Sequence, residues 1–459
     1  MKKPTHLHAS ASVDIRFFFF VVSLILFSVG CRKQSLSDIN LRSASAAQSQ
    51  ISGTPNIILI LGDDIGYEIP TCDGGQSYST PNIDQMAANG TRFTQCHASP
   101  LCSPSRFMLM TGKYNFRNYT EWGIMDKNER TMASFLQDEG YKTFVGGKWQ
   151  FDGGDRSIHS LGFDDYIVYL PFARQDEEQD GSRYKNPHLY VNGDFLADSL
   201  TLNKYGEDIV CDSIIQFMAH NASAGEPFFV YYPMMLCHAP FSPTPDDSEF
   251  PAWDPSLGTS DADFFPSMVT YMDKKIGQVI HAVDSLGLAQ NTIILYMGDN
   301  GTPEKITSIF DGYEIIGRKG RTIEYGTHVP FIAYQPGFVP AGVNDDLIDF
   351  TDFLPTIADI AGAGIPNNFK TIDGLSFYSQ LLGGTGESRS WIYCYYAPHQ
   401  NNIPKQWAQS LTYKYYDDGR FFNIISDIRE QNPIPDSSLT TDEMLIKQQL
   451  FEVIDGMQK

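Results

Sequence analysis

The sequence NIILILGDDIG, residues 56–66, carries the pattern that predicts the fold, because a closely similar sequence, NTIILYMGDNG, occupies residues 291–301. Each segment is a short run of β-branched residues and leucine, followed by glycine and then two side chains that carry oxygen. Apolar runs of this kind are typical of strands buried in a parallel sheet that helices cover on both faces. The two segments therefore predict two buried strands of one sheet.

Helical patterns separate further strand-like runs along the chain. Residues 80–90 begin with Thr80 and Pro81 and end at Gly90, and residues 268–286 repeat apolar side chains at helical spacing. Strands that alternate with helices indicate an α/β fold, and we expect a large, mixed, mostly parallel sheet sandwiched by helices over residues 54–385. Aromatic strand-like runs separated by turns predict a small C-terminal α+β subdomain with an antiparallel sheet over residues 386–459.

Oxygen-bearing side chains follow both repeated strands. Ligands of such sheets bind beyond the carboxyl ends of the strands, so we expect Asp63, Asp64, Asp299 and Asn300 to lie together at one edge. A single Gly-Asp pair commonly forms a turn or a helix cap. Two matching copies instead favour a metal site, because clustered carboxylates repel one another unless a cation lies among them. Oxygen ligands fit Ca²⁺ or Mg²⁺.

The sequence SPLCSPSRFMLMTGKY, residues 99–114, places Cys102 where a helix is predicted to begin. Ser103 is a suitable N-cap, Pro104 suits the first helical position and Gly112 is placed to end the helix. A thiol at the positive end of a helix, one turn before Arg106, is either a buried thiol at the end of a loop or a residue that holds or attacks an anion.

The CSPSR sequence of residues 102–106, with Thr111 and Gly112 after it, resembles the C-x-P-S-R signature of the type I sulfatases, a branch of the alkaline phosphatase superfamily. The resemblance extends from about residue 55 to residue 433. Further motifs follow in the family's order: GDD at 62–64, GKW at 147–149, HAP at 238–240, GDNG at 298–301 and the segment from Lys319 to Gly326. Each motif is weak alone, but their shared order is highly specific.

The resemblance implies a chemical change at Cys102. In the family, a maturation enzyme oxidises this cysteine to Cα-formylglycine, whose aldehyde is hydrated to a geminal diol. One hydroxyl attacks sulfur and gives a covalent sulfo-enzyme. The second hydroxyl then loses its proton, sulfate leaves and the aldehyde returns, a step that a serine with its single oxygen could not complete.

The resemblance also assigns the site residues. Lys148 and Lys319 would hold sulfate oxygens, and His238 would protonate or hydrogen-bond to the departing alcohol oxygen. Arg106 would reach the diol or the neighbouring carboxylates. The implied catalytic set is Cys102, Arg106, Lys148, His238 and Lys319; the implied substrate-binding set is Lys148, Gln150, His238 and Lys319; the implied ligands of a Ca²⁺ or Mg²⁺ ion are Asp63, Asp64, Cys102, Asp299 and Asn300.

Two positions depart from the family pattern. Gln150 stands where many sulfatases have a histidine, and an amide cannot titrate near neutral pH. Either Gln150 keeps a binding role or another group, such as His159, supplies the proton transfer. The family's Gly-Gly-x-Arg-Val-Pro run is replaced by YGTHVP at residues 325–330, so Tyr325 and His328 are candidates for shaping the leaving-group pocket.

The N-terminus predicts export. Two lysines and Arg16 precede an apolar run, residues 17–30, which is the length of a signal-peptide core and short for a membrane span. Small residues before Cys31 resemble a bacterial lipoprotein cleavage site, although Ser28 stands where leucine is usual. We expect a signal peptide over residues 1–31, of the lipoprotein type, with simple secretion and an uncleaved anchor as alternatives, and a flexible tether over residues 32–53.

Bulk properties narrow the function. The 459 residues are 42% hydrophobic, which is ample for a large core, and the net charge of −22 argues against a nucleic-acid partner. The seven cysteines form neither a zinc-type cluster nor an evident disulfide framework. We therefore expect an exported, periplasmic or cell-surface sulfatase that acts on a sulfated carbohydrate and needs a formylglycine-generating maturation enzyme. A phosphoester or phosphonate hydrolase of the same superfamily and a non-catalytic sulfoglycan-binding lipoprotein are the alternatives.

Overall fold

The computed structural model describes residues 53–172, 182–369, 371–399 and 401–457. The predicted signal peptide, Cys31 and all of the predicted tether except Gly53 lie outside the described residues. Within the described part of the chain, no helix has the length and apolar character needed to cross a membrane. The six cysteines described there are all free thiols.

The described chain forms strands and helices in alternation through most of its length. The strands are β1 (Asn56–Gly62), β2 (Thr91–His97), β3 (Lys142–Lys148), β4 (Asp165–Tyr169), β5 (Tyr190–Val191), β6 (Asp194–Phe195), β7 (Phe228–Pro233), β8 (Thr292–Gly298), β9 (Thr307–Phe310), β10 (Tyr313–Ile316), β11 (His328–Tyr334), β12 (Gly342–Asp349), β13 (Ile392–Tyr396), β14 (Lys405–Gln409), β15 (Tyr413–Tyr416) and β16 (Phe421–Asn423). The helices are α1 (Pro81–Asn89), α2 (Cys102–Thr111), α3 (Asn115–Asn118), α4 (Met132–Asp138), α5 (Gly154–Ser160), α6 (Asp198–Thr201), α7 (Gly206–Ala224), α8 (Phe265–Ser285), α9 (Glu324–Thr327), α10 (Phe353–Ile360), α11 (Tyr378–Leu381) and α12 (Thr441–Met457).

A ten-stranded sheet in the order β12-β2-β11-β8-β1-β7-β3-β4-β5-β6 forms the centre of the molecule. Strands β8, β1, β7, β3 and β4 are parallel to their neighbours within this group, whereas β11, β5 and β6 pair antiparallel. The predicted mixed, mostly parallel sheet is confirmed.

Helices cover both faces of this sheet. Along β1, Ile57, Leu59 and Leu61 pack into one hydrophobic core with α2, α4 and α10. The intervening residues Ile58 and Ile60 pack into a second core with α7 and α8. Because successive side chains of a strand point to opposite faces, the continuous apolar run of β1 serves both layers.

The C-terminal region contains the antiparallel sheet that the aromatic runs predicted, with the strand order β13-β14-β15-β16. Strand β14, which contains the buried Trp407, was not among the strand-like runs identified from the sequence. A small two-stranded sheet is formed by β9 and β10. The predicted domain boundaries, 54–385 and 386–459, remain predictions.

Helix α2 begins earlier than the sequence predicted. Its first residue is Cys102 and its N-cap residue is Leu101, so Pro104 is the third helical residue and not the first. Ser103 is not the N-cap; its hydroxyl accepts a hydrogen bond from the Gly123 amide at 3.0 Å. The predicted end is confirmed, since Gly112 adopts a left-handed conformation, φ 64°, that terminates the helix.

Candidate active site

The two repeated segments become neighbouring strands. Strands β1 and β8 pair parallel, with Gly62 opposite Gly298, so both Gly-Asp sequences end at the same edge of the sheet. The Asp299 amide donates to the Gly62 carbonyl at 3.0 Å. The Asp64 amide donates to Oδ1 of Asp299 at 2.9 Å. The predicted meeting of the two segments at one sheet edge is therefore present in the structure.

The repeated glycine has a steric reason. A Cβ at Gly298 would lie 1.9 Å from the carbonyl oxygen of Ile65, and one at Gly62 would lie 3.0 Å from the Ile65 side chain. The turn after β1 therefore folds back across both glycines, which brings Asp63 and Asp64 close to the end of β8.

Cys102 is the first residue of α2, and all ten residues of this helix are buried. Its Sγ lies 3.3 Å from Nζ of Lys148, at the end of β3. Burial raises the pKa of the Cys102 thiol, and this effect outweighs the lowering by Lys148 and Lys319. An unmodified Cys102 is therefore held as a thiol and is a poor anionic nucleophile at neutral pH.

Two basic residues tie the helix and β3 to the aspartates. Lys148 Nζ donates to both carboxylate oxygens of Asp63, at 2.8 and 2.9 Å. Arg106 is fully buried and binds Asp299 Oδ2 through Nε at 3.2 Å and Nη2 at 2.9 Å. Arg106 also donates to the Lys148 carbonyl at 3.0 Å, so it joins α2, β3 and β8.

Asp63, Asp64 and Asp299 form an acidic cluster at this edge of the sheet. Lys319 and His238 lie on its more open side, with side chains 17% and 25% exposed. Lys319 Nζ lies 2.6 and 2.8 Å from the carboxylate oxygens of Asp64. His238 Nδ1 lies 2.6 Å from the Ala239 carbonyl, which can only accept, so this nitrogen carries a proton. The orientation leaves Nε2 facing Asp64 Oδ2 at 3.8 Å.

Opposing charges set the ionisation of the cluster. Burial alone would raise the pKa of Asp63, but Lys148 and the other cations outweigh it and hold that pKa below its usual range. The pKa of Asp64 is lowered as well, with Lys319 the leading cation against burial. Burial and the charge of Asp63 raise the pKa of Asp299 to about 6, and burial lowers the pKa of His238 to about 3. Asp63 and Asp64 are thus anions and His238 is neutral at pH 7.

These side chains fit a hard divalent cation. Ligand atoms of Asp63, Asp64, Cys102 and His238 lie within 4.8 Å of one another. Asn300 Nδ2 donates to Asp64 Oδ1 at 2.8 Å, while its Oδ1 is buried without a hydrogen-bond partner among the described residues. An unused amide oxygen beside buried carboxylates is a suitable ligand for Ca²⁺ or Mg²⁺. The cluster can therefore hold a metal ion.

Among the described residues, no hydrogen bond or ion pair joins either candidate replacement for the family's histidine to this cluster. Gln150 is buried in a left-handed conformation, φ 62°, and its Oε1 has no hydrogen-bond partner among the described residues. His159 contacts Asp155 at 3.2 Å and the Phe163 carbonyl at 2.7 Å.

Sequence reasoning missed Arg183. Its side chain is 9% exposed and its Nη1 lies 3.7 Å from Asp63 Oδ2. Arg183 follows residues 173–181, which lie outside the described part of the chain, and it belongs to none of the family motifs, so no sequence signal identified it.

Comparisons with known proteins agree with this geometry. A family model described as Sulfatase matches residues 55–363. The chain belongs to the sulfatase family. Bovine arylsulfatase A is 31% identical over 399 residues, which cover 79% of this chain and 74% of the bovine protein. The N-acetylgalactosamine-6-sulfatase of Canis lupus familiaris is 30% identical over 391 residues, covering 78% and 71% of the two chains.

The fold is also shared with solved structures. The crystal structure of Ps i-CgsB in complex with k-i-k-neocarrahexaose superposes with a TM-score of 0.72 at 23% identity, and the match covers 88% of this chain and 93% of that chain. As a type I sulfatase of the alkaline phosphatase superfamily, this protein is an enzyme that hydrolyses sulfate esters.

Proposed function

We propose that this sulfatase removes sulfate from a sulfated carbohydrate outside the cytoplasm, with residue 102 converted to Cα-formylglycine and with Ca²⁺ as its metal. The observation that carries this proposal is the meeting of Cys102 with two carboxylates and two lysines at the N-terminus of α2. That position combines a helix N-terminus with fixed cations, an environment that stabilises a developing negative charge.

Different residues would bind the metal and supply the attacking oxygen. Asp63, Asp64, Asp299, Asn300 and an oxygen of the modified residue 102 would hold the metal. The bound ion supplies charge neutralisation for the sulfate and lowers the pKa of a neighbouring hydroxyl. The modified residue supplies the attacking oxygen, and its second hydroxyl allows the sulfate to be expelled after the alcohol has left.

Lys148 contacts Asp63 and Lys319 contacts Asp64, and both lysines would bind sulfate oxygens as point charges. Arg106 would position the helix start, because its contacts with Asp299 and the Lys148 carbonyl fix α2 against β3 and β8. His238, with its Nδ1 held by the Ala239 carbonyl, would present Nε2 to the leaving alcohol oxygen. Because neutral His238 carries its proton on Nδ1, Nε2 would first take up a proton and would then donate it to that oxygen as the S–O bond breaks.

The carbohydrate substrate is supported by the relatives. The printed names include an N-acetylgalactosamine-6-sulfatase and a structure in complex with a neocarrahexaose. The N-terminal pattern that predicts a lipoprotein signal peptide also supports an enzyme that meets polymers outside the cell. Replacing Cys31 with alanine should release the protein from membranes, which cell fractionation and labelling with radioactive palmitate can measure.

The activity can be tested on matched aryl esters. Matured protein from the native host should hydrolyse 4-nitrophenyl sulfate with a kcat/KM well above that for 4-nitrophenyl phosphate. A preference for the phosphate would favour a phosphoester hydrolase and would contradict the proposed substrate chemistry. A panel of sulfated monosaccharides and disaccharides, analysed for released sulfate, then identifies the sugar.

The metal can be tested separately. Treatment with a chelator should abolish turnover, and added Ca²⁺ should restore it. Elemental analysis measures whether all bound divalent ions have been removed. Turnover that survives their complete removal would show that the carboxylates only form ion pairs with the lysines and hold no catalytic metal.

A further inference from the structure

A small cavity of about 150 Å³ lies beside the acidic cluster. Its lining includes Tyr169, Arg183, Lys185 and Trp253, together with Pro240 and Ser242, which follow His238 closely in the sequence. Tyr184 in its wall donates to the His238 carbonyl, so the cavity adjoins the residue that is proposed to contact the leaving alcohol. Pockets that bury drug-sized ligands have volumes of roughly 300–1,000 Å³, so this cavity suits one sugar ring or a substituent on it.

The cavity wall is fixed to the reacting centre. The hydroxyl of Tyr184 lies 2.6 Å from the His238 carbonyl and 2.8 Å from the Met235 carbonyl. The neighbouring Arg183 reaches Asp63 at 3.7 Å through Nη1. A substituent bound in the cavity would therefore lie at a defined distance from the sulfate-binding residues.

Lys185, one of the two cations in the cavity wall, already has its donors occupied. Its Nζ donates to the backbone carbonyls of Phe250, Pro251 and Trp253, at 2.9, 2.8 and 2.8 Å. An ammonium group has three N–H donors, so these bonds use all of them. Lys185 thus holds the Trp253 segment in place and has no donor left for a ligand.

Arg183, the other cation, retains unused donors. The residue is 92% buried, its guanidinium lies 4.9 Å from the centre of the Tyr169 ring, and its Nε and Nη1 have no hydrogen-bond partner among the described residues. Unpaired N–H groups of a buried cation are costly, and an anion that accepts from Nε or Nη1 would reduce that cost. The aromatic support fixes the guanidinium plane and so favours such an anion.

We propose that Arg183, supported by Tyr169 and next to Trp253, forms a subsite for a second anionic group, a carboxylate or a sulfate, on the sugar that carries the scissile sulfate. The partly exposed Trp253 ring offers the apolar surface on which a sugar ring stacks. This inference rests on the proposed carbohydrate function and narrows it to sugars with at least two negative groups.

Direct binding tests this subsite without requiring turnover. Glucuronate and N-sulfoglucosamine carry an anionic group and no sulfate ester, and glucose and N-acetylglucosamine are their neutral counterparts. All are titrated by calorimetry into the wild-type protein and into R183Q. The wild type should bind one or both anionic sugars at least tenfold more tightly than the neutral ones, and R183Q should lose that preference. The pair that binds distinguishes a carboxylate substrate from a sulfated one.

Control variants separate binding from structure. R420Q removes an exposed arginine that pairs with Asp418 in the C-terminal sheet, and it should keep the wild-type preference. R183K keeps the positive charge and should restore part of the preference that R183Q loses. Equal binding of anionic and neutral sugars by the wild type overturns the inference. A loss in R183Q that R183K does not restore, together with a lower melting temperature, indicates a structural role and also overturns it.

A second readout excludes the alternative in which Arg183 binds the scissile sulfate. If it did, R183Q would weaken competitive inhibition of 4-nitrophenyl sulfate turnover by inorganic sulfate as strongly as inhibition by the anionic sugar. We expect the sugar inhibition constant to rise at least tenfold more than the sulfate constant. Failure of the wild type to hydrolyse any sulfate ester would contradict the proposed function, whereas the calorimetric result alone decides the subsite.

Discussion

Helix α2 has a buried charged cluster at each end, and the two clusters differ in how completely their polar groups are satisfied. Cys102 and the acidic cluster lie at its first residue. At its other end, after Gly112, Arg389 lies among Asp349, Asp352 and Asp373. The helix has ten residues, so the two clusters are about 15 Å apart at 1.5 Å per residue.

The cluster at the C-terminal end of α2 is closed. Asp352 binds Arg389 Nε at 2.7 and 2.8 Å and accepts from the amides of Asp349 and Leu375. Asp373 accepts from the Tyr114 amide at 2.9 Å and from Arg117. Among the described residues, none of these carboxylates has an unused buried oxygen.

The cluster at the N-terminal end is open. The side chains of Lys319 and His238 are partly exposed, and Asn300 Oδ1 and two nitrogens of Arg183 have no hydrogen-bond partner in the described part of the chain. Both clusters combine buried aspartates with arginine, so buried charge alone does not identify a site. Unused ligand atoms beside an opening do so, because they are the groups that a metal or substrate can still satisfy.

The largest difference in effect between the two clusters should appear in the activity of a variant in which Cys102 is replaced. Cys102→Ala should lower kcat by at least about 10⁴-fold, because the proposed nucleophile is lost, while the melting temperature stays near that of the wild type. Cys394→Ala, a matched buried cysteine in the C-terminal sheet, should retain activity. Substantial turnover by Cys102→Ala would remove residue 102 from the chemistry.

Breaking the closed cluster should affect stability and not chemistry. Arg389→Met leaves Asp352 buried without its cation, which typically costs about 3–5 kcal/mol. Urea unfolding should show this loss, whereas kcat per folded molecule should change less than twofold. If Arg389→Met had a lower kcat but the stability of the wild type, the clusters at the two ends of α2 would be coupled.

Removing one negative charge from the open cluster should weaken the binding of the metal ion. Asp299→Asn keeps an oxygen for the Asp64 amide but removes the negative charge, so the apparent Ca²⁺ affinity should fall by about 10²-fold or more. Turnover in chelator-buffered Ca²⁺ measures this affinity. Asp273→Asn, a buried aspartate that caps α1, is the control and should keep the wild-type value. Equal affinities in both variants would exclude Asp299 as a ligand.

A further effect should be a pH dependence of the stability that the closed cluster provides. Burial raises the pKa of Asp349 to about 7, above its ordinary value of 3.8. A raised pKa in the folded state favours the protonated form, so this contribution to stability is complete below about pH 4 and is lost as pH rises through 7. Asp349→Asn should therefore flatten the decline in unfolding free energy between about pH 4 and pH 8. If the unfolding free energy of Asp349→Asn declined with pH as steeply as that of the wild type, groups other than Asp349 would cause the decline.

The sequence predicted the open cluster better than the closed one for a physical reason. The open cluster is built from short motifs at the ends of buried strands, and the repeated Gly-Asp pattern identified two neighbouring strands directly. The closed cluster joins Asp352, Asp373 and Arg389 across loops whose approach no local periodicity encodes. The start of α2 was also misplaced, because Ser103 bonds to the distant Gly123 amide and does not cap the helix.

Arg183 and strand β14 illustrate the same limit. Arg183 becomes significant only because Tyr184 is anchored to the His238 carbonyl and brings its neighbour to Asp63. Strand β14 contains charged and polar residues, and its pairing with β13 and β15 decides its structure. In both cases long-range contacts carry information that residue type and spacing do not.

The central claim is that the thiol at position 102 is replaced by an aldehyde in the mature enzyme. Mass spectrometry of the tryptic peptide that contains residue 102, from protein made in its native host, tests it most directly. The account predicts a peptide about 18 mass units lighter than the cysteine form, or its hydrate. A peptide that carries only unmodified cysteine, from protein that is active on sulfate esters, would contradict the account.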